Sequence, residues 1–174
     1  FDIVKHPDLE CDDTIATLSV FHAKKGHDCV IVSSDSDFIQ MLGFKDLNIK
    51  LYHPIKKCFI DKPQYDYVTW KALRGDKTDN IDGIRGVGDK TAEKLALNSE
   101  KLVEFLSDNK KREIFEKNIN LIRLVDFSQD MSSLEQYSGK SDFNSLKNIF
   151  TDLKFTTMLK ENTWKKYIKT FERL

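Results

Sequence analysis

Cys29-Val30-Ile31-Val32 runs directly into Ser33-Ser34-Asp35-Ser36-Asp37. The first four residues are a continuous apolar run rich in β-branched side chains, the pattern of a short strand buried in a parallel sheet. The run delivers two acids at its C-terminal end, where open α/β sheets collect their ligands. Upstream, Ile15, Leu18 and Phe21 follow helical spacing over residues 14–25. Glu10, Asp12 and Asp13 fill the start of that helix, Lys24 and Lys25 its end, and Gly26 stops it; the charges suit the helix dipole at both ends. Helix followed by buried strand predicts an α/β fold.

Working outward, a short helix is expected over 37–42, and strands over 48–52 and 57–60 around His53-Pro54. Helices are expected over 64–73, 89–97, 100–106, 110–124, 141–150 and 158–171, with 127–139 polar and irregular. The opening Phe1-Asp2-Ile3-Val4 is apolar, but the first regular element expected is the helix. One buried parallel strand cannot make a sheet covered on both faces, so part of the sheet is expected to come from outside this chain.

The 174 residues carry 40% hydrophobic content and 12 Phe, enough to bury a core. No apolar run is long enough to span a bilayer, and no leader peptide is recognisable, which argues against a membrane protein. Cys11, Cys29 and Cys58 are odd in number and far apart, without zinc-like pairing with histidine; reduced thiols are expected. Net charge is zero, so composition alone does not announce a nucleic-acid binder. The acids near the N-terminal end are clustered while the bases are spread along helices, which suits metals held in one place and phosphates in another.

Seven carboxylates can be brought together by chain geometry: Glu10, Asp12 and Asp13 at a helix N-terminus, Asp35 and Asp37 at a strand end, and Asp76 and Asp79 in a glycine-rich loop. Strand ends and helix N-termini face the same crevice in such sheets. Carboxylates so crowded stay ionised only with a cation among them. Oxygen ligands without His or Cys select Mg²⁺ or Mn²⁺ over zinc. Two such ions about 4 Å apart are a device for cleaving phosphate esters. Taken singly, each piece has a plainer reading: Asp35-Ser36-Asp37 as a solvated turn, Asp12 and Asp13 as favourable dipole charges.

The second constellation runs from Asp79 to Leu95, with glycines at Gly83, Gly86 and Gly88 just before a helix. Four of the seven glycines fall between Gly75 and Gly88. Bare backbone N–H groups before a helix N-terminus can hold a phosphate, and Lys90 and Lys94, one turn apart, can reach the same backbone. Such contacts position a strand without reading its sequence. The alternative is a helical corner that needs glycine only for packing.

Glu10-Cys11-Asp12-Asp13, Ser34-Asp35-Ser36-Asp37 and Gly75-Asp76-Lys77-Thr78-Asp79-Asn80-Ile81-Asp82-Gly83-Ile84-Arg85-Gly86-Val87-Gly88-Asp89-Lys90-Thr91 resemble, in order and spacing, the 5′ nuclease domain of bacterial DNA polymerase I and the phage 5′→3′ exonucleases. The match runs from about Leu9 to Leu95 and is looser beyond. The resemblance implies a partial PIN-like, Rossmann-like core (1–63), a helix-three-turn-helix DNA-binding region (64–127) and a helical segment packing back on the core (128–174). It also implies that Glu10, Asp12, Asp13 and Asp35 surround a first metal and Asp37, Asp76 and Asp79 a second, with Asp12, Asp35 and Asp37 at the centre of catalysis. Gly83, Arg85, Gly86, Gly88, Lys90, Thr91 and Lys94 would clamp the duplex, with K⁺ held by loop carbonyls; Arg85 stands where the family has proline. The family's first strand with its own metal-binding Asp, its further acid, its basic groups at the scissile phosphate and its arch find no counterpart in this sequence.

The function expected is therefore a monomeric, structure-specific 5′ nuclease acting on 5′ flaps, nicks or RNA primers in replication or repair, in a bacterial or phage-infected cytoplasm, with replication proteins as further partners. A non-catalytic binder of branched DNA is the rival; retention of all seven acids favours the enzyme. A phosphatase-like enzyme built on Asp35-Ser36-Asp37 leaves the glycine-rich loop unexplained.

Overall fold

The computed structural model describes residues 2–139 and 141–172. Along the chain the elements are β1 (Asp2–Lys5), α1 (Cys11–Lys24), β2 (Cys29–Val32), a 3-10 helix (Ser36–Gly43), β3 (Ile49–His53), β4 (Cys58–Phe59), α2 (Tyr67–Arg74), β5 (Gly75–Asp76), β6 (Ile81–Asp82), α3 (Asp89–Ala96), α4 (Ser99–Phe105), α5 (Asn109–Ile122), β7 (Glu135–Ser138), α6 (Phe143–Asp152) and α7 (Glu161–Phe171). They fall into two compact units, one of residues 8–133 and one of residues 1–7 with 134–174.

In the larger unit β2 and β3 pair in parallel, Ile31 opposite Leu51, and β4 adds antiparallel to β3. Ala16, Val20 and Ala23 of α1 meet Ile31, Ile49 and Leu51 of the sheet and Phe38 and Met41 of the 3-10 helix in one core. The four-residue apolar run is thus a strand, but only one of its faces is covered. Ile31 points inward, while Val30 and Val32 are 51% and 63% exposed. Burial on both faces, expected from composition, is not what the described residues show, because a strand alternates its side chains and α1 lies against one side only.

The helices of the larger unit close a second core of Leu73, Ile84, Ala92, Leu95 and Leu106. The starts of α2, α4 and α5 are set by acid and amide caps. Asp66 accepts from Thr69 N, Asn98 from Lys101 N, and Asp108 from Lys110 N and Lys111 N, satisfying otherwise unpaired first-turn donors. This is why α2 begins three residues later than hydrophobic spacing alone indicates. Between α2 and α3 the loop makes the two-residue ladder β5–β6, Gly75 opposite Asp82. Here glycine is required by contact: a Cβ on Gly83 would overlap the Arg74 carbonyl, and one on Gly75, at φ +82°, would overlap Gly83 N. Asn118 of α5, almost fully buried, donates from Nδ2 to Ala72 O (2.9 Å) and Asp82 O (2.8 Å). One side chain thus pins the end of α2 to the ladder.

In the smaller unit β1 and β7 pair antiparallel, Ile3 opposite Tyr137, so the apolar opening is a strand and 127–139 is not wholly irregular. Both segments are too short to reveal themselves by periodicity; only pairing makes them strands. α6 and α7 carry an aromatic cluster in which Trp164 stacks on Tyr167 at 5.6 Å and Phe150 meets Trp164 edge-on.

Candidate metal and DNA site

Local chain geometry places the acids one group at a time. Glu10 is the extended residue before α1, and Asp12 and Asp13 lie in its first turn. Asp35 follows β2 and caps the 3-10 helix, its Oδ1 accepting from Asp37 N at 2.9 Å. Asp76 ends β5, its Oδ1 accepting from Thr78 N at 2.8 Å, and Asp79 follows in the turn to β6. An open crevice of about 640 Å³ is lined by Glu10, Asp12, Asp13, Asp35, Asp37 and Asp79, with Asp8 beside them. Six of the seven expected carboxylates thus share one crevice, and the seventh, Asp76, stands behind it.

Asp13 has a second engagement: its Oδ1 accepts from Val125 N at 2.7 Å, tying α1 to the segment after α5. Burial, and then the negative charges of Asp35 and Asp37, push the Asp12 carboxyl above the usual range.

Lys71 sits at the back of this cluster. Its side chain is 3% exposed, and its ammonium pairs with Asp37, with Asp76 Oδ2 at 2.5 Å and with Asp79 Oδ2 at 3.8 Å. Burial works against its charge, but the hydrogen bonds to Asp37 and Asp76 prevail and lift it to about 12. Burial likewise works against Asp76, and the bonds from Lys71 and Thr78 N–H override it, holding its carboxyl at about 2. Asp79, penalised first by burial and then by the charge of Asp76, moves upward instead.

The donor set is all oxygen: no His or Cys lines the crevice, which fits a hard divalent cation. Among the described residues no three His, Cys, Asp or Glu side chains are spaced to hold a metal ion, and three of the acids converge instead on Lys71. Lys71 escaped the sequence reading, although a signal was there. It stands three residues after Val68 and four after Tyr67, on the buried face of α2, where a charge needs a partner.

The glycine-rich loop leads to the exposed end of α3. Ile84 is buried, its N–H donating to Leu73 O at 2.9 Å, and Val87 N–H closes the turn onto Ile84 O at 3.0 Å. Arg85, Gly86, Gly88, Lys90, Thr91 and Lys94 are exposed. Gly86 adopts φ +84° with open space around it. Gly88 caps α3 without any side-chain hydrogen bond to its first turn. Gly83 differs from the rest, being held against Arg74 by packing.

No family model matches the chain. It is 30% identical over 179 residues to a 5′-3′ exonuclease of Aquifex aeolicus, across 91% of this chain and 61% of that protein. It is 29% identical to the 5′-3′ exonuclease of Buchnera aphidicola, across 83% and 61%, and 34% identical to flap endonuclease Xni of Pseudoalteromonas translucida, across 58% and 41%. The chain therefore spans about three fifths of the length of the two exonucleases. In fold it is similar to T5 5′-exonuclease, with a TM-score of 0.53 at 21% identity over 67% of this chain and 56% of that one. It is likewise similar to the T5 D15 flap endonuclease solved as a pseudo-enzyme-product complex with DNA and metal ions, TM-score 0.53 at 20% identity, over 67% and 50%. By sequence the chain is similar to 5′-3′ exonucleases, flap endonuclease Xni and DNA polymerase I, and its mixed α/β fold is similar to that of T5 5′-exonuclease.

Proposed function

We propose that this chain is the metal-holding and DNA-clamping part of a structure-specific 5′ nuclease that hydrolyses phosphodiesters at 5′ flaps, nicks or primers. The observation that carries the reading is the gathering of Glu10, Asp12, Asp13, Asp35, Asp37 and Asp79 on one crevice, with α3 and its uncapped N-terminus in the same compact unit. Residues 1–63 would serve as the partial PIN-like core and residues 64–127 as the helix-three-turn-helix region. Held among these acids, Mg²⁺ or Mn²⁺ would supply activation of the attacking water and neutralisation of charge at the attacked phosphate. The chain's own part is to hold and orient. Glu10, Asp12, Asp13 and Asp35 would hold one ion and Asp37, Asp76 and Asp79 the other. Lys90, Lys94, Arg85, Thr91 and the backbone at Gly86 and Gly88 would seat the duplex, with K⁺ at the loop carbonyls.

A non-catalytic holder of branched DNA has one observation in its favour, the pairing of Lys71 with three of the acids. Metal binding separates the two readings. Mn²⁺ added to the chain should lose its free-ion electron paramagnetic resonance signal, and Asp35→Asn with Asp37→Asn should restore it. With the full-length parent of this chain, a 5′-labelled flapped duplex should release short 5′ products in Mg²⁺ and none in excess chelator. Absence of Mn²⁺ uptake, or cleavage that persists in chelator, would overturn the nuclease reading.

A further inference from the structure

α3 carries an acid, Asp89, as its first residue, yet that carboxylate does not cap the helix. It is turned away and hydrogen-bonded to Arg74 Nε at the end of α2. Two further contacts fix the arrangement. Trp70 Nε1 donates to Asp89 O at 3.2 Å, and the Arg74 guanidinium lies over the Trp70 ring at 5.0 Å. The neighbouring helices α2, α4 and α5 behave differently, since each has its first-turn N–H groups occupied by an Asp or Asn oxygen. An acid in the first turn is drawn to the same positive helix end that attracts a phosphate, so a released Asp89 is an internal competitor for the phosphate seat.

Resting on the clamp reading above, we infer that Arg74 is a positioning residue of the DNA clamp, holding the Asp89 carboxylate on α2 so that the N-terminus of α3 stays open to a backbone phosphate. Arg74 is 41% exposed and Asp89 70%, so the pair adds little to stability by itself. What it sets is the charge facing the ligand. On removal of Arg74 the freed carboxylate folds back toward its own helix, and the local field turns from neutral to negative.

The test is a double-mutant cycle read by fluorescence anisotropy on a labelled nicked duplex, with the whole chain in chelator at low salt. Arg74→Ala should weaken binding about three- to tenfold, an effect that shrinks as salt rises. Asp89→Asn should bind tighter than the unaltered chain. Arg74→Ala with Asp89→Asn should return to within about twofold of it, which a mere brace between α2 and α3 cannot do, since both partners of the brace are then gone. Arg74→Lys should keep most of the affinity by keeping the charge. Unchanged binding in Arg74→Ala overturns the inference, and so does a double variant that stays weak, because Arg74 would then be touching DNA itself. If Arg74→Ala melts early, Asp89→Asn alone still decides: no gain in affinity sinks the proposal. Failure of the unaltered chain to bind the duplex, or full binding after Lys90→Ala with Lys94→Ala, counts against the clamp reading and not against Arg74.

Discussion

Lys71 Nζ lies 2.5 Å from Asp76 Oδ2, and neither side chain is more than 12% exposed. The lysine comes from the buried face of α2 and the acid from the two-residue strand that immediately follows it. α2 thereby fixes the acid cluster from behind while its other side meets α3. In the larger unit the acid crevice and the exposed end of α3 are therefore referenced to one short helix.

Replacing Lys71 with Met keeps length and removes the charge, leaving Asp37, Asp76 and Asp79 to face one another. Breaking a buried pair from one side costs about 3 to 5 kcal/mol. Metal-free Lys71→Met should accordingly melt well below the unaltered chain. Under the proposed function, Mg²⁺ should raise the melting temperature of the variant more than that of the parent, since a cation then supplies what the lysine did. Thermal melts with chelator and with Mg²⁺ check this; an equal metal shift in both proteins would mean that the ion does not bind among these acids.

The same pair sets an acid limb. The folded-state pKa of Asp76, about 2, lies below its ordinary value of 3.8, so its stabilisation is fully present above about pH 4 and is lost as pH falls through 2. By linkage it is worth roughly 2 to 3 kcal/mol near neutrality. Asp12 and Asp79 are displaced upward, so their ionisation works against the metal-free fold as pH rises past 4. Urea titrations in chelator should find Asp76→Asn less stable at pH 7 with a flatter fall from pH 4 to 2, and Asp12→Asn more stable at pH 7.

The glycines separate packing from clamp. Gly83→Ala forces a methyl into the Arg74 carbonyl and should unfold or loosen the region from α2 to α3, by more than about 2 kcal/mol. Gly88→Ala meets open space at an ordinary φ of −97°, so its melting temperature should stay close to that of the parent. Circular dichroism melts decide, and a Gly83→Ala protein as stable as its parent would refute the packing account.

The helices and the parallel strand were legible because hydrophobic periodicity and caps are local signals. Ile15, Leu18 and Phe21 mark α1, and the run from Cys29 to Val32 marks β2. β1, β5, β6 and β7 were not, since each has four residues or fewer and exists only by pairing with a partner distant along the chain or across a turn. The acids of the crevice could be named because strand ends and helix starts have a common side in α/β sheets. What sequence could not show is who neutralises whom. Lys71 reads as one more surface lysine until α2 is placed against Asp37 and Asp76, and Asn118 reads as a polar residue in an amphipathic helix until its amide is seen bridging Ala72 and Asp82.

Lys90 and Lys94 are exposed, one turn apart on α3, beyond a cap that offers no side chain to the first turn. If both hold backbone phosphates, Lys90→Ala with Lys94→Ala should weaken binding to flapped or nicked duplexes of any sequence by similar factors, because phosphate contacts carry no base information. Each lost contact also removes one released counterion, lowering the slope of log affinity against log salt by about 0.9, so the pair should lower it by about 1.8. Both side chains point to solvent, so the melting temperature should hold, which makes the salt slope a reading of contact and not of folding. Anisotropy titrations of two unrelated duplex sequences between roughly 50 and 200 mM salt supply the comparison. A slope unchanged by the double substitution would make these lysines part of a solvated helix face, and the clamp reading would fall with them.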